Sequence, residues 1–422
     1  MPLSVIIYNI FLGLFRIGTA VGSLFNPKIK KWVVGRRQIF DKLQATIPSH
    51  AKIIWMHCAS VGEFEQGRPI IERLKTLYPE YKILLTFFSP SGYEATQNYK
   101  GADWIFYMPL DGSIRSKRFL EIVQPRLVIF VKYEFWFYYL KKIKYRNIPL
   151  ILVSAIFTDK MSFFKWYGQL QRKMLTRFDQ VFVQNENSKK LLDAIGLSAI
   201  TTVAGDTRFD RVLEIASKWE PLPKIDFFIG DCKTIVAGST WPEDEELLCN
   251  YLSGHKENSI KLILAPHEID EKHLEGLRKL FPAAVFYSEF TENPDIQSSA
   301  NCLIIDNMGM LSRLYKYGTI NYVGGGLRQS GIHNLLEAAV YGKPVLFGPV
   351  YKKYAEAIAL IEMNGSKSFA EAREFETLAN QLLEHETIAF DMGKQAAQYV
   401  AAQAGATTVI TGYIQENLLF TN

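Results

Sequence analysis

Gly324-Gly325-Gly326 ends the short apolar run Thr319–Val323 and is followed by Asn334, Glu337 and then Gly342-Lys343-Pro344. Consecutive glycines strip side chains from the end of a strand, so backbone N–H groups can come close to an anion. A carboxylate in the helix that follows suits the hydroxyls of a ribose. The expected order is strand, glycine loop, a helix over about 334–341 with Asn334 as its N-cap, a glycine stop at Gly342, and a second strand over Val345–Phe347. Any βαβ unit uses glycines in its turns, so the loop alone is a weak signal. The common register of loop, Asn, Glu and Gly-Lys-Pro strengthens it, and the chemistry it fits is nucleotide binding.

Further polar residues fall just after apolar runs. Glu63, in Ser60-Val61-Gly62-Glu63, starts a helix, where the positive helix end would keep it ionised and able to act as a base. The same spacing is a capping box, with Ser60 and Glu63 both occupied by backbone N–H groups, and the two readings stand level. Glu134, in Lys132-Tyr133-Glu134-Phe135-Trp136, follows a buried strand and needs either a partner, for which Lys132 is at hand, or a function. Ser239 and Thr240 hydroxyls, with the helix start behind them, suit a phosphate, although Thr240-x-x-Glu243 with Pro242 is equally a plain helix start. His267 suits a phosphate or a base edge, and Met308-Gly309 offers backbone to a flat ring.

The elements that position these residues alternate strand and helix. Strands are expected at Lys52–Met56, Tyr81–Phe87, Arg126–Val131, Leu150–Val153, Gln180–Val183 and Thr201–Ala204. They resume at Thr234–Ala237, Ile260–Leu264, Ala284–Phe286, Cys302–Ile305, Thr319–Val323 and Val345–Phe347. Such alternation makes parallel, doubly wound sheets whose ligands sit at the carboxyl ends of the strands. Two Rossmann-like α/β domains are expected, over about 41–215 and 216–400, facing a central cleft. The linker is placed at Ser217–Gly230, which holds two prolines and no period, and a C-terminal helix at 401–422.

The 422 residues, 48% hydrophobic, are enough for two sizeable cores. A net charge of +5 and the absence of short nucleic-acid signatures argue against a nucleic-acid partner and fit an anionic substrate or membrane surface. Four scattered cysteines fit a reducing compartment. Residues 1–40 read as an apolar helix and a basic segment. Arg16 interrupts the apolar stretch, and Lys28, Lys30, Lys31, Arg36 and Arg37 follow it. The charge comes after the apolar run, unlike a secretory signal. A helix lying in the membrane interface, with the basic cluster on anionic headgroups, is favoured over a single span and over a buried helix.

Taken in order, SVGE at Ser60–Glu63, PLD at Pro109–Asp111, YEFW at Tyr133–Trp136, GDTRFD at Gly205–Asp210, GST at Gly238–Thr240, PHE at Pro266–Glu268, DNMGML at Asp306–Leu311 and the block VGGG…GIHNLLEAAVYGKPVLFGP resemble the 3-deoxy-D-manno-octulosonic acid (Kdo) transferases of lipopolysaccharide synthesis. The resemblance runs along nearly the whole chain, and the last block is its most specific part. It implies a GT-B glycosyltransferase that moves Kdo from CMP-Kdo to a lipid A precursor, lipid IVA, on the cytoplasmic face of the inner membrane, as a peripheral protein or through one N-terminal anchor. It implies Glu63 as catalytic base, Glu134 as a second catalytic glutamate, and an acceptor side that includes Ser60, Gly62, Lys132 and Arg208. On the donor side it implies Ser239, Thr240, His267, Met308, Gly309, Gly325, Gly326, Asn334 and Glu337. Lys132 stands where the family's E-T-E-L-W motif has its first glutamate, Phe137-Tyr138 where Pro-Asn follows it, His267 directly follows Pro266 where the family has an arginine between, and Ser154-Ala155-Ile156 stands for N-A-R. No metal-ligand spacing is present, so transfer without a metal and without any cofactor is expected. Another GT-B enzyme using a UDP-sugar, or a catalytically inactive membrane-bound homologue, is the alternative.

Overall fold

Each half of the chain builds one seven-stranded, wholly parallel sheet. The computed structural model describes residues 3–255, 260–291 and 300–417. The end of the expected C-terminal helix, residues 418–422, lies outside the described residues. Two compact units result, Met1–Arg211 with Ala404–Asn422, and Val212–Gln403.

The first unit holds β1 (Ile53–Cys58), β2 (Lys82–Phe87), β3 (Trp104–Tyr107), β4 (Leu127–Val131), β5 (Leu150–Ala155), β6 (Gln180–Val183) and β7 (Thr201–Val203). Their order across the sheet is β3-β2-β1-β4-β5-β6-β7. IIWMHC, LVIFV and LILVSA are buried along their full length because helices cover both faces of the sheet. Trp55, Phe119, Phe130, Tyr139 and Leu152 fill one face, and Met56, Phe64, Ile70, Leu85, Ile129 and Val131 the other. The second unit holds β8 (Lys233–Thr240), β9 (Ile260–Pro266), β10 (Val285–Phe286), β11 (Cys302–Ile304), β12 (Ile320–Val323), β13 (Val345–Phe347) and β14 (Ser366–Ser368), in the order β10-β11-β9-β8-β12-β13-β14. In each sheet the direction of winding reverses beside the first strand, between β1 and β4 and between β8 and β12. Ligands of open parallel sheets bind outside such switch points.

Twelve of these strands are expected from the sequence. The remaining two are edge strands: β3 is only partly buried, and β14 is three residues, Ser-Lys-Ser, with no apolar pattern. The expected linker is not irregular. One helix runs over Thr207–Ser217 and another over Pro223–Ile229, because Pro223 takes the first helical position, where its missing N–H costs nothing. The helix Ala406–Glu416 does not stand apart from the domains. Ile410 and Ile414 join the core of the first unit, and Tyr413 meets Phe182 edge-on at 5.4 Å. The Asp210 carboxylate caps this helix, accepting from the Gly405 and Thr407 N–H groups at 2.6 and 2.8 Å.

Three helices precede β1: α1 (Leu3–Gly22), α2 (Pro27–Gly35) and α3 (Ile39–Thr46). α1 is long and apolar enough to cross a bilayer by length and composition. One of its faces is nevertheless docked. Val5 and Leu12 are buried in the core of the first unit, Tyr8 donates to Asp111 at 2.7 Å, and Asn9 accepts from Tyr138 at 2.8 Å. The other face leaves Leu3, Ile7, Ile10, Phe11, Leu14 and Ile17 exposed. Asp111, the acid of the PLD motif, is fully buried and also accepts from the Tyr138 and Tyr139 N–H groups. Arg36 does not belong to the exposed basic cluster. Its guanidinium turns inward to the carbonyls of Trp32, Phe88 and Met108, and burial lowers its pKa to about 9.

Candidate active site

In the first unit, β1 and β4 lie side by side and deliver Glu63 and Glu134 to their carboxyl ends. After Cys58 the chain turns through Ala59 and Ser60 into helix α4 (Val61–Leu77). Gly67 lets this helix pack close, since a Cβ there would meet the Met56 sulfur at 2.7 Å. Ser60 is the N-cap, yet its side chain makes no capping bond, and Glu63 accepts from the Ala59 N–H at 2.5 Å. The reciprocal capping box is therefore not formed. The expectation that the helix end keeps Glu63 firmly ionised is also corrected. Burial, and next the charge of Glu134, raise its pKa to about 7, against the opposing Ala59 N–H and Lys132. A Cβ on Gly62 would have nothing within 4 Å, so the backbone beside Glu63 is open.

Glu134 has partners besides the expected Lys132. Its Oε2 accepts from Trp136 Nε1 at 2.5 Å and lies 2.7 Å from His57 Nε2. Lys132 sits in a left-handed turn with φ 66°, its ammonium 5.7 Å from the Tyr133 ring centroid. His57 carries no signal in the sequence, because a histidine within an apolar strand looks like any core residue. Arg208 is engaged within its own unit. Its guanidinium pairs with Asp206 at 2.8 Å, and Asp206 also accepts from Gln66.

In the second unit the switch point is built by the ends of β8 and β12. Ser239 has φ 54° at a register shift between Gly238 and Thr240. Thr240 is fully buried and donates to Glu245, so its hydroxyl is directed into the protein and not at a ligand. The helix Pro242–Ser253 starts with Glu243, Asp244 and Glu245, and Asp244 accepts from the Trp241 N–H at 2.9 Å. Three carboxylates at this helix start overturn the expectation that it receives a phosphate.

Two of the three glycine N–H groups expected to cradle an anion are already occupied. The Gly324 N–H donates to the Gly238 carbonyl and the Gly325 N–H to Asp244, both at 2.9 Å. A Cβ on Gly324 would meet the Ser239 carbonyl oxygen at 2.4 Å, and one on Gly326 the Gly348 nitrogen at 2.6 Å. The glycines let three backbone segments touch. No long helix follows them either. The expected helix over 334–341 is reduced to Leu336–Ala339, because the His333 and Ile332 N–H groups bond to Gly324 and Val350 and hold that stretch in a loop. Asn334 is accordingly no N-cap: its amide donates to Glu337 at 2.8 Å, and its own Oδ1 is buried without a hydrogen-bond partner. Gly342 does have the left-handed φ, 66°, of a helix stop.

Beside this loop three rings stack. Trp241 lies 4.7 Å from His267, and His267 lies 4.2 Å from His333. Trp241 Nε1 donates to His333 Nε2 at 2.9 Å, which places the ring proton of neutral His333 on Nδ1. Burial and the neighbouring His267 lower its pKa to about 4, so this stack is neutral at physiological pH. The Arg328 guanidinium covers Trp241 at 4.4 Å and lies 3.4 Å from Glu243. Met308 is exposed, and Gly309, with φ 92°, has open space around it: a Cβ there would meet nothing within 4 Å. Among the described residues, no group of three or more His, Cys, Asp and Glu side chains is placed to hold a metal ion.

The sequence profile of 3-Deoxy-D-manno-octulosonic-acid transferase (kdotransferase) matches residues 34–211. A 3-deoxy-D-manno-octulosonic acid transferase of Aquifex aeolicus is 30% identical over 317 residues, which cover 74% of this chain and 80% of the relative. The chain belongs to the Kdo transferase family. It is thus a glycosyltransferase of lipopolysaccharide biosynthesis. The two parallel-sheet domains of this Kdo transferase have the GT-B fold. They superpose on UDP-GlcNAc 2-epimerase from Neisseria meningitidis with a TM-score of 0.58 at 16% identity, covering 86% of this chain and 100% of that one. MurG from Acinetobacter baumannii gives 0.54 at 14% identity, covering 86% and 99%.

Proposed function

We propose that this Kdo transferase takes Kdo from CMP-Kdo and delivers it, with inversion and without a metal, to a hydroxyl of a lipid A precursor such as lipid IVA. The hydroxyl oxygen bonds to the anomeric carbon as the bond from that carbon to the CMP phosphate breaks. The hydroxyl proton goes to Glu63 and CMP departs as an anion. The observation that carries this reading is Glu63 itself: a buried carboxyl at the end of β1, beside the switch point, with a pKa raised to about 7. A base of that strength is matched to neutral pH.

Donor contacts are assigned to Ser239, His267, Met308, Gly309, Asn334 and Glu337, with Gly325 and Gly326 letting the neighbouring backbone segments at Gly331 and Gly348 pack close. Arg328 is added as the cation for the phosphate, since the helix start is already occupied by acids. Glu337 holds ribose, and the buried unpartnered Oδ1 of Asn334 marks a place where a ligand donor would be welcome.

The acid side of the pH profile follows with a definite sign. A general base must be ionised, so kcat/KM rises with pH through about 7 and levels above it. A profile flat from pH 5.5 to 8.5 in steady-state transfer would contradict the assignment.

Attachment to the cytoplasmic face of the inner membrane is assigned to α1 lying in the interface. Its docked face is fixed by Tyr8, Asn9 and Leu12, which leaves the stripe through Ile7, Ile10 and Leu14 for lipid. Ile7→Asp with Leu14→Asp removes two exposed apolar contacts, each worth roughly 1.5 kcal/mol. Binding to anionic phospholipid vesicles, read by co-sedimentation, is expected to weaken by about 10²-fold with the melting temperature unchanged. Unchanged sedimentation would refute the lipid-facing role.

A further inference from the structure

His57 is fully buried at the penultimate position of β1, paired in register with Thr86 of β2 and Phe130 of β4. Its Nδ1 lies 2.9 Å from Thr86 Oγ1 and 3.0 Å from the Thr86 carbonyl, and Trp55 Nε1 donates to the same Oγ1 at 2.8 Å. Its Nε2 lies 2.7 Å from Glu134 Oε2, which also accepts from Trp136. A carboxylate this deeply buried needs donors; Trp136 supplies one, and His57 supplies a second in the tautomer that carries the proton on Nε2 and accepts at Nδ1 from the Thr86 hydroxyl. The row Trp55, Thr86, His57, Glu134 is a continuous buried chain of polar groups that leads to the carboxyl end of β4 and contains no substrate-facing member before Glu134.

We propose that His57 is a positioning residue for the transfer reaction: through its Nε2 contact it fixes the Glu134 carboxyl at the end of β4, and Glu134 in turn sets how readily Glu63 takes a proton. The inference rests on Glu63 being the base. Geometry supports it, because β1 and β4 are paired and their carboxyl ends carry the two acids. The electrostatics agree, because the Glu134 charge is the second cause, after burial, of the raised Glu63 value. Other groups also face this cluster. Lys132 favours the ionised form of Glu63. Cys58 is held as a neutral thiol, chiefly by burial, and feels Glu63, Glu134 and Glu65. Tyr133 is also raised, by burial first and then by Glu63, so neither it nor Cys58 carries charge near pH 7. Glu134 is the acid whose placement His57 controls.

The test is the pH dependence of kcat/KM for His57→Leu, His57→Gln and Glu134→Gln, with melting temperature measured in parallel. His57→Leu removes the contact that holds Glu134 in place, so its carboxyl is free to leave its position near Glu63 and opposes ionisation of Glu63 less. The acid limb is expected to move from about pH 7 toward the ordinary carboxylate range. At pH 8 kcat falls about threefold because the weaker base accelerates less while burial, the larger cause, still holds the value up, with KM little changed. His57→Gln, whose amide still donates to Glu134, keeps the limb near its original place. Should His57→Leu fail to fold, Glu134→Gln must show the same downward displacement. A merely structural histidine would lower the melting temperature and leave the limb where it is. A limb unmoved in both His57→Leu and Glu134→Gln overturns the proposal. Loss of the base reading shows up separately, as a Glu63→Gln variant that transfers sugar at the parent rate.

Discussion

Glu63→Gln is expected to lower the rate of Kdo transfer by about 10²–10⁴-fold, the usual contribution of a positioned general base. Glutamine has nearly the same shape, and its Oε1 can still accept from the Ala59 N–H, which Glu63 holds at 2.5 Å. The start of α4 is thus kept, and the melting temperature is expected to change by less than about 2 °C. What is lost is the site that receives the acceptor's proton. The limb near pH 7 disappears with it, because Glu63, at the end of β1, is the group whose pKa is raised to about 7. Steady-state transfer and its pH profile check both parts. A variant with a normal rate and an intact limb would assign the proton to another group.

Asp244→Ala carries the largest expected loss of stability. This buried carboxylate accepts from the Tyr322 hydroxyl at 2.6 Å and from the Gly325 and Trp241 N–H groups at 2.9 Å each. Alanine leaves all three donors without an acceptor, and each buried unsatisfied group costs about 1–3 kcal/mol. Burial opposes ionisation of Asp244, which returns part of that loss on removal. A net destabilisation of roughly 3–5 kcal/mol is expected, equivalent to a fall of about 10 °C in melting temperature. Trp241 would also be released, and with it the bond to His333 that organises the ring stack. Added CMP should then raise the melting temperature of the variant much less than that of the parent. Calorimetry with and without CMP reads both effects, and a melting temperature within about 1–2 °C of the parent would refute the role given to Asp244.

Much of the fold is legible in the sequence because buried parallel strands are continuous apolar runs. Leu127–Val131 and Val345–Phe347 show this plainly. Trp104–Tyr107 and Ser366–Ser368 escape notice because edge strands are buried on fewer sides and need no such run. The site is legible in place but less so in detail. Spacing locates Glu63, Glu134, Ser239 and the glycine triplet at strand ends, which is a property of the chain order alone. Which N–H groups stay available is a property of tertiary contacts. Asp244 occupies the Gly325 N–H, Glu245 takes the Thr240 hydroxyl, and the loop held at His333 shortens the helix expected from Asn334. His57 and Asp244 stay hidden for one reason. Each gains its meaning from a partner far along the chain, Glu134 and Gly325, and no local pattern marks either.

The most direct measurement is the mass of the lipid formed when the purified protein is incubated with CMP-Kdo and a tetraacylated lipid A precursor in excess chelator. The parent protein is expected to add Kdo to the lipid and release CMP, while Glu63→Gln leaves the lipid at its starting mass over the same time. A lipid that the parent protein leaves unchanged, or equal product from parent and Glu63→Gln, would contradict the account.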